Sequence, residues 1–280
     1  MEDRQRRVDL PSSIFNLLIL STLMLALSSC AWVPSWITSR YATLFESLPP
    51  ERRETQELVK SLVQRSGELR SLRALASVYY SGTDGRGGFQ EAVLVDRPDR
   101  LRLETLSPLG ATILIVTADA EEMAGFHPRE GLFYRGKSSP LNLFRYTQIP
   151  LGLRELTSVL MGLPPLVTQG GWRHDGQSIV RDLAGGRKEA ISFHPTLWAP
   201  TQWQRTDPEG RVELSAQFGD FFATPAGPFP LKISLEAPTQ QRRLDIRYRD
   251  PELNVNLAPV LFVQEKPETA RELPLEALGG

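Results

Sequence analysis

Residues 89–117 read FQEAVLVDRPDRLRLETLSPLGATILIVT, and this stretch decides the fold that we predict for the chain. It contains three short runs rich in apolar residues, separated by segments that contain proline, glycine and aspartate. The second run alternates apolar with charged residues, and this period of two predicts a strand with one buried face. Short strands that are joined by tight turns in this way predict an antiparallel meander.

The same pattern continues on both sides of this stretch, with strand signals spaced about ten residues apart. The content of Gly 21 and Pro 22 is also typical of a protein with many turns, so we predict a mainly β fold. The predicted strands are residues 72–80, 89–95, 101–104, 111–117, 123–127, 132–134, 178–182, 189–193, 201–206, 211–218, 231–236, 242–248 and 261–263.

The strand pattern breaks once, at residues 141–146 and 151–163, where apolar residues no longer alternate with polar ones. In the second segment leucines recur at helical spacing, and two consecutive prolines end it. A further helix is predicted over residues 51–66, where leucine and valine form an apolar stripe before Gly67. A long sheet interrupted by a helical insert must carry those helices on one of its faces.

The charge and cysteine content exclude several classes of protein. The chain has 280 residues with 32 Lys+Arg and 33 Asp+Glu, so no net field steers it towards nucleic acid, and we expect no nucleic-acid partner. A single cysteine excludes a disulfide framework and any cysteine-based metal cluster.

The N-terminus predicts export and lipidation. Residues 14–27 form an apolar run too short to span a bilayer comfortably but of the right length for an export signal. The run ends in Leu-Ser-Ser-Cys, which resembles the bacterial lipobox, and Cys30 is the single cysteine of the chain. We therefore predict a signal peptide over residues 1–29 and a covalent diacylglycerol and N-acyl chain on Cys30. The alternatives are an uncleaved anchor or an ordinary signal peptide with a chance cysteine.

The residue after the cysteine bears on the final membrane. Ala31 stands where aspartate retains a lipoprotein at the inner membrane under the enterobacterial sorting rule. If that rule holds here, the protein is anchored to the cell outer membrane and faces the periplasm. Residues 30–50 then form a lipidated tether, residues 51–266 the folded domain, and residues 267–280 a polar, frayed tail.

Signals for catalysis are weak in this sequence. Residues 131–138, GLFYRGKS, match the letters of a phosphate-binding loop, but the four intervening residues are bulky and strand-like. We interpret this segment as a strand that ends in a turn. The spacing of His127, His174 and His194 matches no zinc motif, and no serine lies in a nucleophile elbow. We therefore expect no enzymatic activity, no metal and no cofactor.

Two groups of residues go beyond generic strand patterning. Asp-Arg-Leu-Arg-Leu at 99–103 and Ser-Pro-Leu-Gly at 107–110 precede the strand Ala-Thr-Ile-Leu-Ile-Val, and residues 150–164 place leucines before Gly-Leu-Pro. In this order they resemble the LolB-like outer-membrane lipoproteins of the LolA/LolB lipoprotein-localisation superfamily, over about residues 65–165. The resemblance implies a single antiparallel half-barrel whose apolar concave face receives acyl chains beneath a helical lid.

The resemblance also suggests which residues form the site. Leu109, in the Ser-Pro-Leu-Gly turn, matches a leucine that engages the membrane in that family; the alternative is that it folds back as a cap on the barrel. Sequence alone leaves open whether the apolar residues line a cavity or form a solid core. The candidate cavity and lid residues are Leu101, Leu103, Ile113, Ile115, Leu153, Leu156, Leu160 and Leu163.

The function that follows from the resemblance is binding rather than catalysis. We expect a monomeric outer-membrane lipoprotein that accepts acylated lipoproteins, or lipid, from a LolA-like periplasmic carrier and helps to insert them into the membrane. The alternatives are a lipid- or glycolipid-binding lipoprotein of another envelope pathway and a purely structural envelope lipoprotein with a solid core.

Overall fold

The computed structural model describes residues 55–165 and 171–277. The predicted signal peptide, Cys30 and the tether lie outside the described residues. Within them the chain forms three α-helices and fourteen strands. The helices are α1 Thr55–Glu68, α2 Pro140–Thr147 and α3 Leu153–Leu160. The strands are β1 Ser71–Gly82, β2 Gly85–Asp96, β3 Arg100–Leu106, β4 Thr112–Ala118, β5 Glu122–His127, β6 Leu132–Lys137, β7 Arg173–Asp175, β8 Ser178–Asp182, β9 Lys188–Phe193, β10 Pro200–Thr206, β11 Val212–Thr224, β12 Gly227–Ala237, β13 Arg242–Leu253 and β14 Arg271–Pro274.

All fourteen strands belong to one open sheet, in the order β14-β6-β5-β4-β3-β2-β1-β13-β12-β11-β10-β9-β8-β7. Strands β1 to β6 form one antiparallel meander and β7 to β13 form another, and the pairing of β1 with β13 joins the two. The pairing of β14 with β6 is parallel. The predicted fold class is thereby confirmed: a mainly β, open half-barrel with a helical insert and an N-terminal helix.

The helices pack on one side of this sheet, which we call the inner face; the opposite side is the outer face. Leu58 and Leu62 of α1 and Leu156 and Leu160 of α3 belong to the same core cluster as buried Trp203 of β10. The helix predicted at residues 51–66 is thus confirmed over the part that the structure describes.

Buried polar contacts fix α1 and α3 against the sheet. The Arg65 guanidinium at the end of α1 donates hydrogen bonds to the backbone oxygens of Ala226 and Pro228 in the β11–β12 hairpin, and burial lowers its pKa to about 10. At the start of α3, the Glu155 carboxylate accepts from the Gly152 amide at 3.0 Å and from Arg205 of β10 at 2.7 Å. A buried guanidinium that loses its hydrogen-bond acceptors is destabilised, and the Glu155–Arg205 ion pair is largely shielded from water, so these contacts hold both helices in place.

Arg205 continues this network into the sheet. It also contacts the buried Glu189 carboxylate at 3.2 Å, and Arg181 donates to the same carboxylate at 2.6 Å. At the other end of α3, the Tyr248 hydroxyl of β13 donates to the Leu160 carbonyl oxygen at 2.9 Å. Helix α3 is therefore hydrogen-bonded to the sheet near both of its ends.

The C-terminal part of the chain corrects two sequence-based predictions. The strand predicted at residues 261–263 is wrong: the segment forms the 3-10 turn Pro259–Phe262, whose first residue has no backbone N–H to donate to a ladder. The tail after residue 266 is not frayed over the part that the structure describes, because β14 pairs with β6 and Leu275 is buried in the core. Polar composition misled the prediction, since few residues of this segment face inwards.

This C-terminal segment covers the outer face near β4 and β5. Phe262 is buried there beneath the Arg100 guanidinium, which lies 5.6 Å from the ring centroid. The Gln264 amide donates to the backbone oxygens of Ile115 and Ala124 and to the Thr117 hydroxyl. The sheet is therefore buried on both faces at this point. Strand β7, whose residues are all exposed, was not predicted from the sequence.

Candidate apolar cavity

A cavity of about 410 Å³ lies between the inner face and the helices α2 and α3. Its walls come from strands β1 to β4, β12 and β13 on one side and from the two helices on the other. The volume falls within the usual range for small-molecule sites, about 300–1,000 Å³. Representative apolar lining residues are Val78, Phe89, Leu114, Ile149, Leu235 and Ile246.

The structure sorts the predicted cavity residues into three groups. Leu103, Leu156 and Leu160 line the cavity. Leu101, Leu153 and Leu163 are buried in the core without lining it. Ile113 and Ile115 were placed wrongly and do not line the cavity: Ile115 lies on the outer face, and Ile113 is 44% exposed.

The register of β3 against β4 explains this correction. Thr105 pairs with Leu114, and Leu103 pairs with Val116, so Ile115, which lies between them on β4, points to the other side of the sheet. Ile113 lies at the irregularity in register between Thr105 and Leu106 and has no partner on β3. Leu114 lines the cavity instead. In the run Ala-Thr-Ile-Leu-Ile-Val-Thr the apolar residues do not alternate with polar ones, because the C-terminal segment buries the outer face as well.

The cavity also contains a buried carboxyl group that sequence analysis missed. Glu91 of β2 is 5% exposed and lies between Phe89 and Val93 on the inner face. Its Oε1 atom accepts a hydrogen bond from the Thr105 hydroxyl at 3.1 Å and from the Tyr146 hydroxyl of α2 at 3.3 Å. The sequence signal for this group was that Glu91 alternates in phase with the apolar residues Phe89 and Val93, which predicts that all three lie on the same face of β2.

Burial governs the protonation of this group. Desolvation raises the pKa of Glu91 to about 7, against an ordinary value of 4.5, and its two hydrogen bonds only partly oppose the rise. Burial, together with the nearby Glu91 carboxyl, raises the pKa of Tyr146 well above its ordinary value. Near neutral pH the cavity therefore holds a carboxyl that is populated in both protonation states, beside a neutral phenol.

Paired charges stand where the cavity opens. Tyr80 and Asp84, at the end of the β1–β2 hairpin, are exposed and line the cavity. Arg242 forms an ion pair with Asp84, and its hydrogen bond lowers the pKa of that carboxyl. Arg243 pairs with Asp245 at 2.8 Å. The charged side chains at the opening thus neutralise one another, whereas the interior is lined mainly by apolar residues, with the cluster around Glu91 and with Thr147 and Gln148 at the end of α2.

Leu109 lies at the tip of the β3–β4 hairpin and is 97% exposed. The turn is closed by the Gly110 amide, which donates to the Ser107 carbonyl oxygen at 2.9 Å, and by the Ala111 amide, which donates to the Ser107 hydroxyl at 3.0 Å. Gly110 adopts a φ of 81°, which favours glycine. Leu109 therefore does not fold back as a cap; contact with a membrane stays a prediction.

The segment at residues 131–138 is a sheet strand in the structure. Strand β6 occupies residues 132–137 and pairs with β5, so its backbone amides serve the ladder rather than a phosphate. None of the helices in the described part of the chain is long and apolar enough to cross a membrane.

A solved structure of low sequence identity shares this architecture. A DUF1329 family protein from Desulfovibrio piger is similar with a TM-score of 0.54 and 10% identity, over 76% of this chain and 98% of its own. A LolA superfamily protein from Nitrosomonas europaea has a TM-score of 0.49 and 11% identity, over 76% of this chain and 99% of its own. At 10% identity, the similarity to the Desulfovibrio piger protein supports the fold alone. Comparison with known family profiles and with curated protein sequences finds no match.

Proposed function

We propose that this protein is an outer-membrane lipoprotein, facing the periplasm, that binds acyl chains in its cavity and helps to receive lipoproteins and insert them into the membrane. The observation that carries the proposal is the apolar cavity of about 410 Å³ beneath α2 and α3. A solid core, as a purely structural lipoprotein would have, does not account for this space.

The physical basis of acyl binding is the removal of hydrocarbon from water. Each buried CH₂ group contributes about 0.8 kcal/mol, so even a partly inserted acyl chain is held appreciably. In this proposal the apolar walls hold the chain without a covalent bond. Transfer therefore requires only that the chain move between apolar environments. A bilayer surrounds the chain completely, whereas the cavity also contains the polar cluster around Glu91, so release of an unsubstituted chain into the bilayer is downhill.

Two features assist delivery to the membrane in this proposal. The acyl groups on Cys30 would anchor the protein, since several chains together make attachment effectively permanent. Insertion of the exposed Leu109 side chain into the bilayer is worth about 1.5–3 kcal/mol, which suits transient contact. The hairpin tip would then bring the cavity-bearing domain to the surface that receives the cargo.

The test uses the chain from residue 30 onwards, produced without acyl groups, and an environment-sensitive fatty-acid probe. Leu160→Asp places a charge on the cavity side of α3, where desolvation is costly, and we expect at least tenfold weaker probe binding with the strand content retained. Leu141→Asp is the matched control, because this leucine of α2 is 59% exposed. Wild-type binding in a folded Leu160→Asp variant would refute the placement of the site.

Native mass spectrometry of the same chain separates the proposal from its alternatives. Bound acyl chains are expected; their absence, with no probe binding, would favour a structural lipoprotein. A LolA-like carrier loaded with a lipoprotein should then pass its cargo to this protein. Acyl binding without such transfer would favour a lipid- or glycolipid-binding role in another envelope pathway.

A further inference from the structure

The carboxyl group of Glu91 is an unusual component of an apolar cavity. The side chains on either side of it along the inner face are Phe89 and Val93, and all three line the cavity. A carboxyl in such surroundings loses its hydration, and proteins retain buried polar groups where hydrogen bonds satisfy them. A carboxyl oxygen of Glu91 that has no hydrogen-bond partner in the protein is therefore available to a ligand.

The two carboxyl oxygens of Glu91 are not equally satisfied. Both hydrogen bonds, from Thr105 and from Tyr146, fall on Oε1. Among the residues that the structure describes, none donates a hydrogen bond to Oε2 or accepts one from it. Oε2 is thus a polar atom of a buried side chain in the cavity that has capacity for a ligand.

The charged groups at the opening do not offer the same capacity. Arg242 is paired with Asp84, and Arg243 with Asp245 and Glu236. A ligand headgroup there would have to displace an existing ion pair. Discrimination between ligands is therefore more readily achieved inside the cavity, at Oε2 of Glu91.

We propose that the cavity prefers an acyl chain that carries a hydroxyl group along its length, and that Glu91 is the residue that binds this hydroxyl. The inference rests on the proposed function, since it names the class of acyl chain that the same cavity takes. A hydroxyl both donates and accepts, so it satisfies Oε2 whether the carboxyl is ionised or protonated. An ester oxygen satisfies only the protonated form, and a plain methylene chain satisfies neither.

The protonation behaviour of the site agrees with this chemistry. Because burial raises the pKa of Glu91 to about 7, both forms are populated near neutral pH. The other groups in contact, Thr105 and Tyr146, are neutral donors whose hydroxyls already point to Oε1. A hydroxyl on the ligand would complete the set of hydrogen bonds in either state.

A purely structural role for Glu91 makes a different prediction. Through Tyr146 the carboxyl links β2 to α2, so it would act as a latch that holds the lid closed. Loss of a latch weakens the binding of every acyl chain by the same factor. Loss of a recognition group weakens only the binding of the hydroxylated chain, because the plain chain never used it.

The experiment compares stearic acid with hydroxystearic acids of the same length, the hydroxyl placed at successive carbons, on the unacylated chain from residue 30 onwards. We expect the wild type to bind one positional isomer about tenfold more tightly than stearic acid, equivalent to about 1.4 kcal/mol. Glu91→Leu should abolish this preference and bind stearic acid at least as well as the wild type. Tyr146→Phe should keep the preference, and Glu104→Gln, on the outer face of β3, should behave as the wild type.

The outcomes distinguish a failure of the proposed hydroxyl preference from a failure of the proposed function. If the wild type binds stearic acid and every hydroxystearic acid equally, the inference is overturned without any variant, and the proposed function stands. If Glu91→Leu weakens all the chains by one factor, Glu91 is a latch and the inference fails. If the wild type binds none of these chains, the proposed function itself fails. Should Glu91→Leu not fold, Glu91→Met replaces it, since its side chain is of similar length and has no strong hydrogen-bonding group, and it must abolish the preference.

Discussion

Replacing Glu91 with glutamine tests whether the buried carboxyl destabilises the fold when it ionises. The pKa of Glu91 is about 7 in the folded protein, against the ordinary value of 4.5 that we take for the unfolded chain. At about 1.4 kcal/mol for each pH unit, the difference corresponds to about 3 kcal/mol of unfolding free energy. The side chain is 5% exposed, so solvent screening does not remove this effect.

The sign follows from which state holds the proton. Between about pH 4.5 and about pH 7 the folded protein keeps a proton that the unfolded chain has released, so the unfolding free energy falls as the pH rises. The contribution of Glu91 is complete below about pH 4.5 and is lost as the pH rises through about 7. The groups around Glu91 do not titrate in this window: Tyr146 and Tyr248 have raised pKa values, and Asp84 at the opening has a lowered one.

The assay is urea unfolding of the unacylated chain, followed by tryptophan fluorescence at a series of pH values. The unfolding free energy of the wild type minus that of Glu91→Gln should fall by about 3 kcal/mol between about pH 4.5 and about pH 8. Glu104→Gln, on the outer face of the neighbouring strand, is the control and should show no such change. A difference that does not vary with pH, or that increases with pH, would refute the account of a desolvated carboxyl.

Two further predictions concern delivery and attachment. Leu109→Glu should fold and bind acyl chains as the wild type does, but it should release cargo to anionic liposomes several-fold more slowly, because a charged hairpin tip cannot enter hydrocarbon. Leu141→Glu is the control. Release at the wild-type rate by Leu109→Glu would show that the hairpin tip is not the membrane contact. Cys30→Ser should abolish incorporation of radioactive palmitate in cells, and labelling that persists would contradict the lipobox assignment.

Sequence patterning predicted the sheet well where one face of a strand is buried and the other is exposed. The apolar-charged alternation at 101–104 placed β3 correctly, and its leucines are buried as expected. The same reasoning failed for β4, because burial on both faces leaves no alternation from which to assign Ile113 and Ile115. Residues from distant parts of the chain, such as Gln264, cover the outer face of β4 and so decide which side of the strand is exposed to solvent. The local sequence of a strand cannot predict such contacts.

The site was predictable in kind but not in its chemistry. Helical spacing identified Leu156 and Leu160, and both line the cavity. In the run Phe-Gln-Glu-Ala-Val-Leu-Val, however, Glu91 is in phase with Phe89 and Val93 while Gln90 is in phase with Leu94, so apolar residues on both faces weaken the signal that Glu91 faces inwards. Burial, to which α2 contributes Tyr146 from 55 positions later in the chain, raises the pKa of Glu91, although the hydrogen bond from Tyr146 itself lowers it.

The different covers of the two faces explain why the cavity lies on one side of the sheet. On the outer face an extended segment follows the strands closely, and Gln264 bonds directly to the backbone of β4 and β5. On the inner face the covers α2 and α3 have 8 residues each, or about 12 Å of helix, whereas β1 and β2 have 12 residues each, or about 40 Å. Helix α1 also packs on the inner face but does not line the cavity, and α2 and α3 are too short to fill the remaining hollow of a curved sheet whose strands are about three times their length. The space that remains is apolar because these strands turn Val78, Phe89 and Leu103 towards it, and it opens at the end of the β1–β2 hairpin, beyond the reach of the helices.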